Sequence, residues 1–293
     1  MEQLALAIFA SLLSAGAWLW VLRRFDRIEP EPLGLLLRTG LVGGLVSALV
    51  AGFLNDRLFS WLGITFDAPV LPWVSALVPA LFAGLNEESC KLMATLWLTH
   101  RQPEVDEPID PMIYAMSVAL GFAAFENILY MIHYGPGVIV LRSLLTVPGH
   151  LTFAALWGYG LARARFGSGP GRYRLLIVTV FLGGIAHAAY DFFLFPRTWI
   201  ALFVIPLLAG LVWLANRRLT FLVGQTPHLE AGECPDCFAP NLPDTSHCRQ
   251  CGSSLAQHIY TLCPHCNAKV LPGSLNCHRC KGELARVFDH PFS

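Results

Sequence analysis

Two adjacent glutamates and a lysine, Glu87, Glu88 and Lys91, stand in the middle of an apolar stretch from Trp73 to Leu98. A charge at the centre of a membrane-length helix costs about 2.5–3.5 kcal/mol on insertion, so such groups usually face a protein interior or a wet cavity and serve a function. On a helix Glu87 and Lys91 are four residues apart, and Glu88 and Lys91 three, so one ammonium can neutralise one carboxylate while the other needs a partner elsewhere. Three more apolar stretches carry polar groups: Glu126 with Asn127, then His150, then His187 with Asp191. His187 and Asp191 also lie four apart on one helix face, where an aspartate fixes a histidine tautomer and raises its basicity. His150 follows Pro148-Gly149, a pair that can open a helix backbone and admit water.

Carboxylates and histidines without a serine or cysteine in a nucleophile signature suggest water activation. A glutamate takes a proton from water, histidines donate to the developing oxyanion, and the acid returns the proton to the leaving amine. Ser89 and Ser143 sit in no such signature. A metal held by His150, His187 and one carboxylate would do similar work as a Lewis acid. A proton or ion pathway draws on the same residue types, so this chemistry alone leaves hydrolase and transporter side by side.

These groups need membrane helices to hold them. The chain has 293 residues, 55% hydrophobic and 14% charged, against about 25% charged in soluble domains. Its formal net charge is zero, so no global field argues for nucleic acid. Apolar runs predict seven spans: Leu4–Leu22, Leu33–Leu54, Trp73–Leu98, Pro111–Ile132, Val138–Leu161, Leu175–Phe195 and Trp199–Leu214. The first is read as an uncleaved helix, since its n-region lacks positive charge and the run continues to Arg23-Arg24. Gly40, Gly43, Gly44 and Gly52 in the second suit close helix packing. Residues 55–72 read as a loop with an interfacial piece at Leu58–Leu62. Arginines cluster after the first and fifth spans and at Arg217-Arg218, which places the N-terminus outside and the C-terminus in the cytoplasm.

The tail is different. Cys234, Cys237, Cys248 and Cys251 recur 29 residues later as Cys263, Cys266, Cys277 and Cys280, an internal repeat. Two CxxC knuckles around one tetrahedral ion make a structural zinc site, so two Zn2+ are expected. Ribbons this small need the metal to fold. Beyond residue 223 there are five Lys/Arg and six Asp/Glu, no basic stripe, so a protein partner suits the tail better than nucleic acid. The expected division is 1–222 for the membrane domain and 223–293 for the tail, with ribbons at 234–251 and 263–280.

Five motifs in order carry a resemblance. Asp26…Glu29-Pro30-Glu31-Pro32, Glu87-Glu88-Ser89-Cys90-Lys91, Phe122-Ala123-Ala124-Phe125-Glu126-Asn127, His150-Leu151-Thr152-Phe153 and His187-Ala188-Ala189-Tyr190-Asp191 resemble the PrsW family of intramembrane proteases over roughly residues 20–200. That family is similar to the wider superfamily of type II CAAX prenyl proteases and bacteriocin-processing membrane proteins. The resemblance implies hydrolysis of peptide bonds in membrane-anchored proteins. It implies Glu87 as the water activator with Glu88 beside it, and His150 as a second catalytic group. His187 and Asp191 stand where the superfamily has an oxyanion-supporting His-x-x-x-Asn. Glu126-Asn127 stands where the prenyl proteases have Phe-x-x-x-His, which argues against prenylated substrates.

The reading is an all-α polytopic membrane protease with a zinc-ribbon tail that regulates or targets it. The site set is Glu87, Glu88, Lys91, Glu126, Asn127, His150, His187 and Asp191. A metal in the membrane site is the less favoured reading, because no histidine pair shares a helix and Lys91 would repel a divalent cation. The alternatives are an ion or proton-coupled transporter, and a non-catalytic scaffold whose working part is the tail.

Overall fold

The computed structural model describes residues 2–26, 30–64, 73–167, 171–196 and 198–223, and in the tail 247–248, 252, 261–266 and 269–270. The membrane part is a bundle of seven helical segments in chain order: α1 Glu2–Leu22, α2 Leu33–Trp61, α3 Trp73–Thr99, α4 Asp110–Tyr134, α5 Val138–Phe166, α6 Arg172–Leu194 and α7 Trp199–Val223. Six are long and apolar enough to cross a membrane. The seventh, α3, has 27 residues, about 40 Å at 1.5 Å per residue, and carries Glu87, Glu88 and Lys91 amid its apolar residues. All seven predicted stretches are helical, six of them as candidate spans. Their outer faces keep Leu49, Phe53, Ile177, Phe181 and Trp213 exposed, as lipid-facing surfaces require.

Helix α4 is the axis of the bundle. Residues 110 to 124 are buried without interruption, because α1, α2, α5 and the start of the site surround it. Its inner end packs Met112, Ile113, Tyr114, Met116 and Leu120 against Leu22, Leu36, Leu151 and Leu219. Close approach is made with glycine. A Cβ on Gly121 would clash with the Gly40 carbonyl, and one on Gly44 would clash with the Gly121 backbone. Gly40, Gly43 and Gly44 thus do what the sequence led us to expect. Gly52 does not: nothing lies near it, and it sits on the lipid face of α2.

Two π-turns interrupt the helices, Thr39–Gly43 in α2 and Arg142–Thr146 in α5. The second has a direct cause. Pro148 has no N–H, so the carbonyl four residues earlier loses its ordinary partner and the ladder shifts register. The predicted local opening at Pro148-Gly149 is therefore a π-turn just upstream, and the helix then runs on unbroken through His150 to Phe166.

The expected loop from residue 55 is corrected. Helix α2 continues through Asn55, Asp56 and Arg57 to Trp61, so Leu58–Leu62 is largely helix rather than a separate interfacial piece. Polar residues do not stop a helix, and Asn55 has bonds to make with α3. The stop signal is Gly63, whose φ of +71° is the left-handed cap conformation glycine adopts most readily.

At the end of the bundle where α1 finishes and α4 begins, Glu31 is buried and accepts a hydrogen bond from the Tyr114 hydroxyl. Burial pushes its carboxyl up to about 7. In the tail, β1 Thr261–Leu262 pairs antiparallel with β2 Lys269–Val270.

Candidate active site

Gly84 of α3 and Gly184 of α6 let these two helices touch. A Cβ on Gly84 would sit 2.5 Å from the Ala188 nitrogen and the Gly184 oxygen. One helical turn further along α3, this contact brings the two glutamates against His187. Helix α5 closes the third side with Arg142, His150 and Trp157, and α4 the fourth with Glu126 and Asn127.

The two adjacent glutamates have opposite environments. Glu88 is fully buried and both of its oxygens are engaged. Its Oε1 accepts from Lys91 Nζ at 2.7 Å and from His187 Nδ1 at 2.9 Å, and its Oε2 from Trp157 Nε1 at 2.9 Å. Glu87 Oε1 accepts from Asn55 Nδ2 at 3.1 Å. Its Oε2 is buried and has no hydrogen-bond partner among the described residues. Lys91 Nζ is 3.8 Å from it, His187 Nε2 3.6 Å. The one lysine therefore pairs with Glu88, and Glu87 is the carboxylate left with an open oxygen.

Donor chemistry fixes the protons on both histidines. The Glu88 carboxylate only accepts, so His187 Nδ1 carries the hydrogen it donates there. The ring then exchanges protons only through Nε2, which faces Glu87 Oε2 and, at 3.7 Å, Asp191 Oδ2. Lys91 only donates, and its Nζ is 2.9 Å from His150 Nδ1. His150 Nδ1 must therefore accept, which puts the ring hydrogen on Nε2, donated to Glu126 Oε2 at 3.0 Å. The rings are fixed further by stacking. Phe153 lies parallel to His187 at 4.7 Å, and the two histidines meet edge-on at 5.0 Å. Phe122 covers the Lys91 ammonium at 4.1 Å.

Arg142, an arginine inside the fifth predicted span that belongs to no motif singled out in the sequence, is part of this network. Its Nη2 donates to Glu126 Oε2 at 2.7 Å and its Nε to Asn127 Oδ1 at 2.6 Å, while Tyr130 lies under its guanidinium. The π-turn that begins at Arg142 belongs to the same stretch of α5. Asn55, Asn86 and Trp157 were also missed. Asn86 Nδ2 donates to Asn55 Oδ1 at 2.8 Å, ordering the amide that holds Glu87. All eight residues singled out by sequence converge here, on four helices.

Residues 31–215 match the family model described as PrsW family intramembrane metalloprotease, a stretch containing every residue of this site. The chain belongs to the PrsW family of intramembrane proteases. The Protease PrsW of Bacillus subtilis (strain 168) is 32% identical over 193 residues, covering 66% of this chain and 84% of that protein. That of Geobacillus kaustophilus (strain HTA426) is 30% identical over 214 residues, 71% of this chain and 91% of its own. That of Oceanobacillus iheyensis is 30% identical over 215 residues, 71% and 94%. No solved structure matches the chain. Residues 234–281 match a double zinc ribbon, so this PrsW-family membrane protein carries a zinc-binding module as well.

The family description raises the question of a metal at the membrane site. Glu87, His150 and His187 each bring a ligand atom within 4.8 Å of the others, and two histidines with a glutamate can hold a catalytic zinc. Glu87 Oε2 and His187 Nε2 suit that role. His150 does not, because the Lys91 ammonium occupies the lone pair of Nδ1 and Nε2 bears the hydrogen. A ring in that state has no electron pair to give a metal. The arrangement as it stands does not fit a three-ligand centre.

In the tail, Cys248, Cys263 and Cys266 are described; Cys234, Cys237, Cys251, Cys277 and Cys280 lie outside the described residues. His265 N–H donates to Cys263 Sγ at 3.4 Å, the sort of bond that orients a thiolate ligand. Gly252, at φ +75°, turns its N–H back to Cys248 O at 2.9 Å. These turns suit the knuckles of a ribbon.

Proposed function

We propose that the protein cleaves membrane-anchored proteins with a water activated by Glu87, without a metal at the membrane site. The observation that supports this is the open, buried Glu87 Oε2 facing His187 Nε2 at 3.6 Å. That gap is too long for a direct bond, and a water bridging the two at about 2.8 Å from each atom would satisfy both. Glu87 takes the proton as water attacks the scissile carbonyl. His187 Nε2, beside Asp191, takes that proton from Glu87 and gives it to the leaving amine as the C–N bond breaks. Glu88 holds the His187 tautomer and Lys91. His150, Glu126 and Arg142 form a chain that positions Lys91, whose ammonium supplies positive charge near the developing oxyanion. The N-terminus lies outside and the ribbons, two Zn2+ sites formed by the eight tail cysteines, lie in the cytoplasm, where they recruit a protein partner or control access.

The transporter alternative uses the same buried carboxylates and makes a different product. Reconstituted in liposomes with a single-span protein carrying a short extramembrane domain, the wild-type chain is expected to cut it near the membrane. Vesicles loaded with a pH dye should show no proton flux beyond the empty control. Flux without cleavage would make the protein a transporter and remove the peptidase reading.

A further inference from the structure

A second group of buried acids sits far from this site. Asp26, Glu31, Glu107 and Asp110 are each at most 3% exposed. They gather where α1 ends, α2 begins and α4 begins. Along α4, Asp110 is 16 residues from Glu126, about 24 Å at 1.5 Å per residue, so the two clusters lie at different depths. The Asp26…Glu31 motif singled out in the sequence belongs here, and the catalytic arrangement makes no use of it.

Part of the group is explained by local structure. Asp26 Oδ2 accepts the Glu31 N–H at 2.7 Å, and Asp110 Oδ2 accepts the Glu107 N–H at 2.6 Å. Tyr114 donates to Glu31, and the Glu31 carboxyl shares a hydrogen bond with the Asp110 side chain. What these bonds do not explain is the other Asp110 oxygen. Oδ1 is buried with no hydrogen-bond partner among the described residues, and Asp110 is 1% exposed. A buried carboxylate oxygen without a donor is costly. The nearby Arg165 spends its guanidinium on the Val105 and Thr99 carbonyls instead. Meanwhile one carboxylate oxygen from each of Asp26, Glu107 and Asp110 lies within 4.8 Å of the other two.

We propose that Asp26, Glu107 and Asp110 bind a hard divalent cation, Mg2+ or Ca2+, that ties the α1–α2 connection to the start of α4. The donors are all oxygen, without thiolate or imidazole, which selects this class over zinc or copper. Asp110 Oδ1 supplies the ligand that no protein donor satisfies. The cation joins two segments distant in sequence, one at Asp26 and one at Glu107 and Asp110, so its role is to brace this end of the bundle.

The test uses the full chain in detergent micelles, with the ribbons kept saturated by zinc. Mn2+ is the probe, read by electron paramagnetic resonance, and Mg2+ or Ca2+ the competitor. Wild type should bind one Mn2+ that either ion displaces, and millimolar Mg2+ or Ca2+ should raise its unfolding temperature by about 5 °C, as for a ligand well above its Kd. Asp110→Asn should lose both responses. If that variant does not fold, Asp26→Asn serves for the same comparison. No Mn2+ binding by wild type, or equal binding and an equal shift in the variant, would overturn the proposal and leave shared protons as the way these acids are neutralised.

Discussion

Glu87→Gln is expected to lower kcat by a factor of about 10²–10⁴, the usual span for loss of a general base, with KM and thermal stability unchanged. The separation of effects follows from the two oxygens. Asn55 Nδ2 donates to Oε1, and a glutamine oxygen accepts that bond equally well. Oε2 has no hydrogen bond to lose, and its ion pair with Lys91 is long, at 3.8 Å, beside the 2.7 Å pair that Lys91 keeps with Glu88. The replacement NH2 cannot take a proton from water. Single-turnover cleavage of a reconstituted substrate, alongside a melting curve, checks both halves. A variant that cleaves at the wild-type rate would take Glu87 out of the chemistry. A variant that unfolds would show that Glu87 holds the bundle together instead.

Lys91→Met should act on the fold as strongly as Glu87→Gln acts on turnover. The lysine is fully buried, and it bonds Glu88 Oε1 at 2.7 Å and His150 Nδ1 at 2.9 Å. Removing it leaves the Glu88 charge in the protein interior with only the Trp157 and His187 donors. Breaking one partner out of a buried pair costs about 3–5 kcal/mol. The double variant Lys91→Met/Glu88→Gln should be less destabilised than the sum of the two single changes, because the stranded charge is gone. Chemical unfolding in mixed micelles measures this. A single Lys91→Met within about 0.5 kcal/mol of wild type, the scatter of neutral surface changes, would mean that the ion pair contributes nothing to stability.

The helices, the site residues and the ribbons were legible because each rests on spacing along one element. Glu87 and Lys91 share a face at four residues, as do His187 and Asp191, and the cysteine repeat is exact in register. What could not be read was pairing between elements. Whether Lys91 serves Glu87 or Glu88 depends on how α3 is rotated against α6, which the Gly84–Gly184 contact sets, and on Trp157 reaching Glu88 from α5. Arg142 did not stand out because its partners, Glu126 and Asn127, lie on another helix. Asn55 was read as loop because polarity was taken for a helix end, whereas it is the hydrogen-bond donor that holds the Glu87 carboxylate. Gly63 held the real boundary signal. Gly52 shows the converse: a small residue in a glycine-rich stretch need not lie at a contact.

The central claim is that the membrane site works without a metal, although the family is described as metalloprotease. Loss of activity in Glu87→Gln does not decide this, since a metal ligand and a base would both be lost. Zinc per chain decides it, measured by mass spectrometry on the active full-length protein and on His187→Ala purified in the same way. The proposed chemistry predicts equal zinc in the two, all of it in the tail cysteines, with activity lost only in the variant. One additional zinc in wild type, absent from His187→Ala and tracking activity through chelation and restoration, would contradict it and make Glu87, His150 and His187 ligands.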